Sequence, residues 1–356
     1  SWVWGAFGVL VLGMVLVGIL GRDGETLYQA LKILVIGILF LAMWRLVGRA
    51  DAEILMRVLY GALALLTLTF FLSKAFAPTS YRLGAWREGE IFAHVGVLWK
   101  AGAFFLPLFM ADWLRRPDRW AAAACAMAAC VYLVVVDGSR TGLLLVVIVF
   151  LAMGAVLWFR GDWHLAGRRP WALPLVAGVL LALLVLGAGM GVGRSAGFAP
   201  ASAGGAAQAE ALMSRTITPL TDSRLDTGDA PRLRLLSNGL QKSWECFPLG
   251  CGFGSTRIDP GYGIAMEVHN AYIGALADFG LLGLLGMLGF VVAAVLPMRV
   301  LWDRSADPRR VYFVLAVSGS ALAYCAALAL NTFSTEMSEW GYLILMLAFA
   351  WQPVQS

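Results

Sequence analysis

One histidine and a handful of arginines are the residues whose type and spacing could carry chemistry. His269 stands in "EVHNAYIGALADFGLLG" (267–283), directly ahead of a long apolar run, and is one of only 3 histidines in the chain. A helix N-terminus carries partial positive charge and disfavours imidazolium. A neutral imidazole can take a proton as a general base. The plainer use of a histidine there is a cap or a packing contact. Arg140 lies in "DGSRTG" (137–142), a six-residue turn between two apolar runs. Its planar fork could donate two hydrogen bonds to a phosphate, or it could pair with Asp137. Arg232 and Arg234 open "RLRLLSNGLQKSWECF" (232–247), in which Leu233, Leu236, Leu240, Trp244 and Phe247 recur at helical spacing. That spacing predicts an amphipathic helix lying on or near a membrane surface.

Other motifs carry less. Asp23 and Glu25 in "RDGE" (22–25) are two acids in one turn. No set of residues has metal-ligand spacing, so neither a metal nor a cofactor is expected, and these acids read as solvated charges. "PLGCGFGS" (248–255) has the alternating glycines of a dinucleotide loop but no strand-then-helix unit around it. A tight turn fits, or a backbone nest that holds a phosphate. Gly280, Gly283, Gly286 and Gly289 recur every third residue, which suits close helix packing. Lys32 and Lys100 lie inside apolar runs, where each must be paired or face a polar cavity. Cys246 and Cys251 flank "FPLG" and could pair in an oxidising compartment, while Cys125, Cys130 and Cys325 sit in apolar runs and read as packing residues.

The elements that must position these residues are membrane helices. The chain is 60% hydrophobic and 14% charged over 356 residues, far from a soluble domain's balance. Runs of about 18 apolar residues recur along it, each long enough to span a bilayer. The fold class is all-α, a polytopic transmembrane bundle. Ten spans are predicted, at 2–20, 26–44, 54–72, 91–111, 120–136, 143–159, 171–191, 271–298, 311–330 and 339–352. The eighth is too long for one straight crossing. The first lacks a charged leader and a cleavage site, so it reads as a span. A start at Ser1 leaves room for further spans ahead of it.

Loops at 45–53, 112–119, 160–170 and 299–310 hold 12 arginines, against 5 basic residues in the opposite short loops. The positive-inside rule puts the first set in the cytoplasm and residues 192–268 outside. The chain then divides into transmembrane helices over 1–191, one large external loop over 192–268, and C-terminal helices over 269–356. That loop holds seven basic and seven acidic residues. Any anion site must therefore use particular arginines, Arg215 among them. The net charge of +5 argues topology, not nucleic acid.

The order of these features resembles the O-antigen ligase and polymerase superfamily. It is carried by "GSR" in a short outer turn, "RLRLL…PLGCGFG" in a long outer loop, and "HN" followed after nine residues by "GLLG". The resemblance covers roughly residues 120–298. It implies a metal-independent, inverting glycosyltransferase of the bacterial inner membrane, with its active site on the periplasmic face. Its donor would be a glycan on undecaprenyl pyrophosphate and its acceptor a sugar hydroxyl of lipid A–core. His269 matches the family's essential histidine, Arg140 the arginine after the glycine-serine pair, and Arg232 the arginine opening the loop helix. Arg234, Arg215, Asn270 and Lys100 are the further substrate-binding candidates. An O-antigen polymerase and a protein O-oligosaccharyltransferase are alternatives within the superfamily. A lipid-linked glycan transporter is the alternative outside it, though no internal repeat supports one.

Overall fold

The computed structural model describes residues 2–47, 52–76, 97–137, 140–160, 230–259, 265–303, 306–335 and 337–351. They form α1 (Trp2–Leu20), α2 (Gly24–Val47), α3 (Ala52–Phe76), α4 (Val97–Arg115), α5 (Trp120–Asp137), α6 (Arg140–Arg160), α7 (Ala230–Glu245), α8 (Ala271–Val295), α9 (Pro308–Leu328) and α10 (Met337–Ala350). Short 3-10 turns follow α4 and α8 at Pro117–Arg119 and Leu296–Trp302. Six helical stretches are long and apolar enough to cross a membrane: Trp2–Leu20, Gly24–Ala42, Glu53–Phe70, Thr141–Arg160, Ala271–Trp302 and Arg310–Leu328. Two shorter apolar helices, Trp120–Val134 and Trp340–Ala350, accompany them. Six of the ten predicted spans thus meet that length and composition among the described residues. α4 holds Lys100, Asp112 and Arg115 within 19 residues, and 171–191 falls outside the described residues.

The chain divides into two compact units. The first comprises Ser1–Ala50, Arg224–Val300 and Val317–Ser356; the second comprises Asp51–Ser223 and Leu301–Ala316.

In the first unit α1 lies along α8, and small residues set the approach. A Cβ on Gly286 would lie 2.6 Å from the Leu10 Cβ, and one on Gly289 2.6 Å from the Ala6 Cβ. Backbones come this close in a membrane bundle only where side chains are absent. Leu10, Met14, Met287 and Phe290 are buried alongside. The buried Gln29 side chain on α2 accepts from the Thr335 hydroxyl at 2.6 Å, just ahead of α10. In the second unit α4 and α5 pack around buried Leu106, Phe109, Met127 and Leu133. Arg116 and Arg119 reach Glu53 at 2.8 and 3.3 Å, tying the loop after α4 to the start of α3.

Gly280 breaks α8. Its φ of 68° and ψ of −157° are non-helical and belong to a region that only glycine occupies readily. The length expected to be excessive for one crossing is therefore two helical pieces joined at an angle.

Candidate functional site

The break in α8 is filled by the loop after α7. Leu281 donates its N–H to the Pro248 carbonyl at 2.8 Å. Cys251 and Gly252 donate theirs to the Ala277 and Asp278 carbonyls at 2.8 and 3.0 Å. Backbone groups orphaned by the break thus find partners in the loop, as buried groups must. A Cβ on Gly280 would overlap the Pro248 carbonyl, so only glycine fits here. Gly280 was expected to serve helix packing like its three successors; it serves the break instead.

The same loop closes on two acids. Asp278, buried on α8, accepts from the Gly254 and Ser255 N–H groups at 3.0 Å each and from the Ser255 hydroxyl at 2.6 Å. The alternating glycines do form a nest, but the anion in it is the protein's own carboxylate. On the other side Phe253 donates its N–H to the Thr26 hydroxyl at 2.7 Å. Thr26 donates in turn to Asp23, which also caps α2 by accepting from the Glu25 N–H at 3.1 Å. Asp23 is therefore a capping residue rather than the solvated charge expected. Cys246 and Cys251 form a disulfide with Cα atoms 5.3 Å apart, joining the end of α7 to this loop.

From Thr256 the chain runs out and returns as a narrow hairpin. Ile258 and Met266 exchange backbone hydrogen bonds at 3.0 and 2.8 Å. Val268 donates its N–H to the Thr256 hydroxyl at 3.3 Å, and Asn238 of α7 donates to the Thr256 carbonyl at 3.0 Å. The return strand delivers His269 and Asn270 to the start of α8. Asn270 is the N-cap, with its side-chain oxygen accepting from the Tyr272 and Ile273 N–H groups at 3.1 Å each. Its side-chain oxygen is thereby engaged in the cap.

His269 is half-buried, with Nδ1 3.0 Å from the Glu267 carbonyl oxygen. A carbonyl can only accept, so Nδ1 must carry the proton in this contact. In the neutral form of the ring this contact leaves Nε2 unprotonated, the nitrogen that could take a proton from a substrate. The local fold thus favours one tautomer of the neutral ring as well as fixing its position.

α7 packs on this start of α8 with its small residues. Gly239 faces Val268 and Ile273, and Leu235 and Ser243 are buried on the same side. The face read from the sequence is the opposite one: Leu233, Leu240, Trp244 and Phe247 are exposed, with Leu249 beside them. Arg232 and Arg234 are exposed near the start of α7. Lys242 and Gln241 donate to Glu245 and hold its carboxyl below the usual range.

His269, Asn270, Arg232 and Arg234 therefore belong to one unit, the last two on the helix that packs against the His269 segment. Arg140 and Lys100 belong to the other. Arg140 is the first residue of α6, not the middle of a six-residue turn, because α5 runs on to Asp137. Lys100 is half-buried on α4, and Arg215 lies outside the described residues. Among the described residues no three His, Cys, Asp or Glu side chains gather as a metal site. Sequence reasoning passed over Asp278, a lone acid in an apolar run. That is itself a signal, because ionisable groups at such depth need a reason.

A multi-pass membrane protein with a histidine leading a broken membrane helix is the class these features define. Residues 123–288 match the O-antigen ligase family, a stretch that holds Arg140, Arg232, His269, Gly280 and Gly283. That match supports membership of the O-antigen ligase and polymerase superfamily and suggests a glycosyltransferase-like enzyme. No curated protein matches it.

Proposed function

We propose that this protein moves a glycan from undecaprenyl pyrophosphate to a sugar hydroxyl of lipid A–core, on the periplasmic face of the bacterial inner membrane. The observation that carries the reading is the Nδ1 contact of His269 with the Glu267 carbonyl, which leaves Nε2 as an available base. In the reaction Nε2 takes the acceptor hydroxyl proton as the acceptor oxygen attacks the anomeric carbon. The bond from that carbon to the pyrophosphate oxygen breaks, and the pyrophosphate leaves with the electron pair. Direct attack inverts the anomeric centre. Arg140 and Arg232 offset the growing charge on the leaving group, with Arg234, Arg215 and Lys100 as further donor contacts. Pyrophosphate is already a good leaving group, so the step needs a base and cations and no metal. The outward apolar face of α7, from Leu233 to Trp244 and on to Phe247 and Leu249, rests in the membrane surface.

The test supplies purified protein in nanodiscs with labelled lipid-linked donor and, separately, lipid A–core, a second lipid-linked glycan, or an acceptor peptide. Glycan joined to lipid A–core, undiminished in EDTA, is the expected product. Joining only to the second glycan would make the protein a polymerase, and no joining at all would remove the transferase reading. Alanine at Arg140 or Arg232 should weaken donor binding as well as transfer.

A further inference from the structure

The carbonyl that sets the His269 tautomer belongs to Glu267, whose side chain is engaged separately. Arg257 meets the Glu267 carboxylate through Nε at 2.8 Å and through a terminal nitrogen at 2.7 Å. Arg257 opens the outgoing strand of the hairpin and Glu267 ends the returning one, directly beside the Ile258–Met266 bridge. Arg257 is itself fixed from behind: its backbone N–H donates to the Gly254 carbonyl at 3.1 Å, and its guanidinium lies over the Phe253 ring, 5.7 Å from the centroid. Phe253 in turn stacks on Phe279 of α8.

The arginine is 56% exposed, and such a pair adds little to stability. What it can fix is register. If Glu267 rotates about its backbone, its carbonyl leaves Nδ1 and the ring is free to turn or to change tautomer. We infer that Arg257 and Glu267 are positioning residues for His269: their ion pair locks the strand whose carbonyl aims the base. This rests on the reading of His269 as the base. Arg257 is thereby separated from the arginines assigned to pyrophosphate, because its fork already holds a carboxylate.

The experiment compares Arg257→Ala, Arg257→Lys, Glu267→Gln and the exchanged pair Arg257→Glu with Glu267→Arg, alongside His269→Ala. Lys242→Ala, which breaks an exposed pair on α7, is the control. Transfer is measured as kcat and donor KM, with melting temperature beside them. Arg257→Ala and Glu267→Gln should each lose about 10- to 100-fold in kcat at unchanged donor KM and melting temperature, the scale of a base misplaced by about 1 Å. Lysine, with charge but no fork, should recover part of that loss, and the exchanged pair should recover more than either of its single changes. A raised donor KM in Arg257→Ala would make it a pyrophosphate ligand and overturn the inference. So would a kcat loss that only follows a fallen melting temperature, or wild-type kcat while His269→Ala is inactive. An active His269→Ala would instead overturn the base reading, and this inference with it.

Discussion

The two pieces of α8 are held by different chemistry. Ahead of Gly280 the helix is tied by polar groups: the Ala277 and Asp278 carbonyls, the Asp278 carboxylate and the Asn270 cap. Beyond it, Gly286 and Gly289 lie directly against the apolar Leu10 and Ala6 of α1. A hydrogen bond has a preferred length and direction, whereas apolar packing tolerates small slides. The polar piece can therefore place a side chain to within a fraction of an ångström, and it is the piece that begins with His269. The apolar piece holds the helix in its bundle.

That division can be broken most severely at its junction. Gly280→Ala should place a Cβ against the Pro248 carbonyl in a backbone region costing about 1–3 kcal/mol for any other residue. With the overlap added, the loop should leave the break, and both the folded yield and transfer should collapse. Thermal unfolding in detergent together with a transfer assay reads this. A variant as stable and active as the parent would mean that the loop does not hold the break.

A smaller effect is expected at Asp278. Asp278→Ala leaves the Gly254 and Ser255 N–H groups without their acceptor, at about 1–3 kcal/mol for each group left unsatisfied. The lesion lies in the polar seam, and the loop it loosens continues into the hairpin that carries His269. Transfer per folded molecule should therefore fall too, measured as active fraction against melting temperature.

Gly286→Ala sharpens the comparison from the other side. It overpacks the seam with α1 and should cost about 1–3 kcal/mol, yet each molecule that remains folded should transfer at the parental rate. Equal losses of specific activity in the Asp278 and Gly286 variants would erase the distinction between the seams.

The sequence made the apolar half of this picture legible, because glycines at every third position and long greasy runs are local patterns. Nine of the ten predicted runs are largely helical over their described residues, and the remaining one, 171–191, lies outside them. α7 was legible as an amphipathic helix, although its packing face is the one with Leu235, Gly239 and Ser243 rather than the leucine and tryptophan stripe. The polar half was not legible. It is made when the backbone of residues 248–255 meets a helix 23 to 33 positions later, and no local spacing encodes that meeting. His269 could be singled out by its type and place, but its tautomer depends on a carbonyl two residues away that only the folded hairpin turns toward it.

The central claim is that His269 acts on the acceptor proton and not on the donor phosphate. It is tested by measuring donor affinity and transfer rate together for His269→Ala in nanodiscs. Donor affinity should match the parent while transfer falls about 10²- to 10⁴-fold, the usual contribution of a positioned base. Loss of donor binding in a folded variant, or transfer at the parental rate, would contradict it.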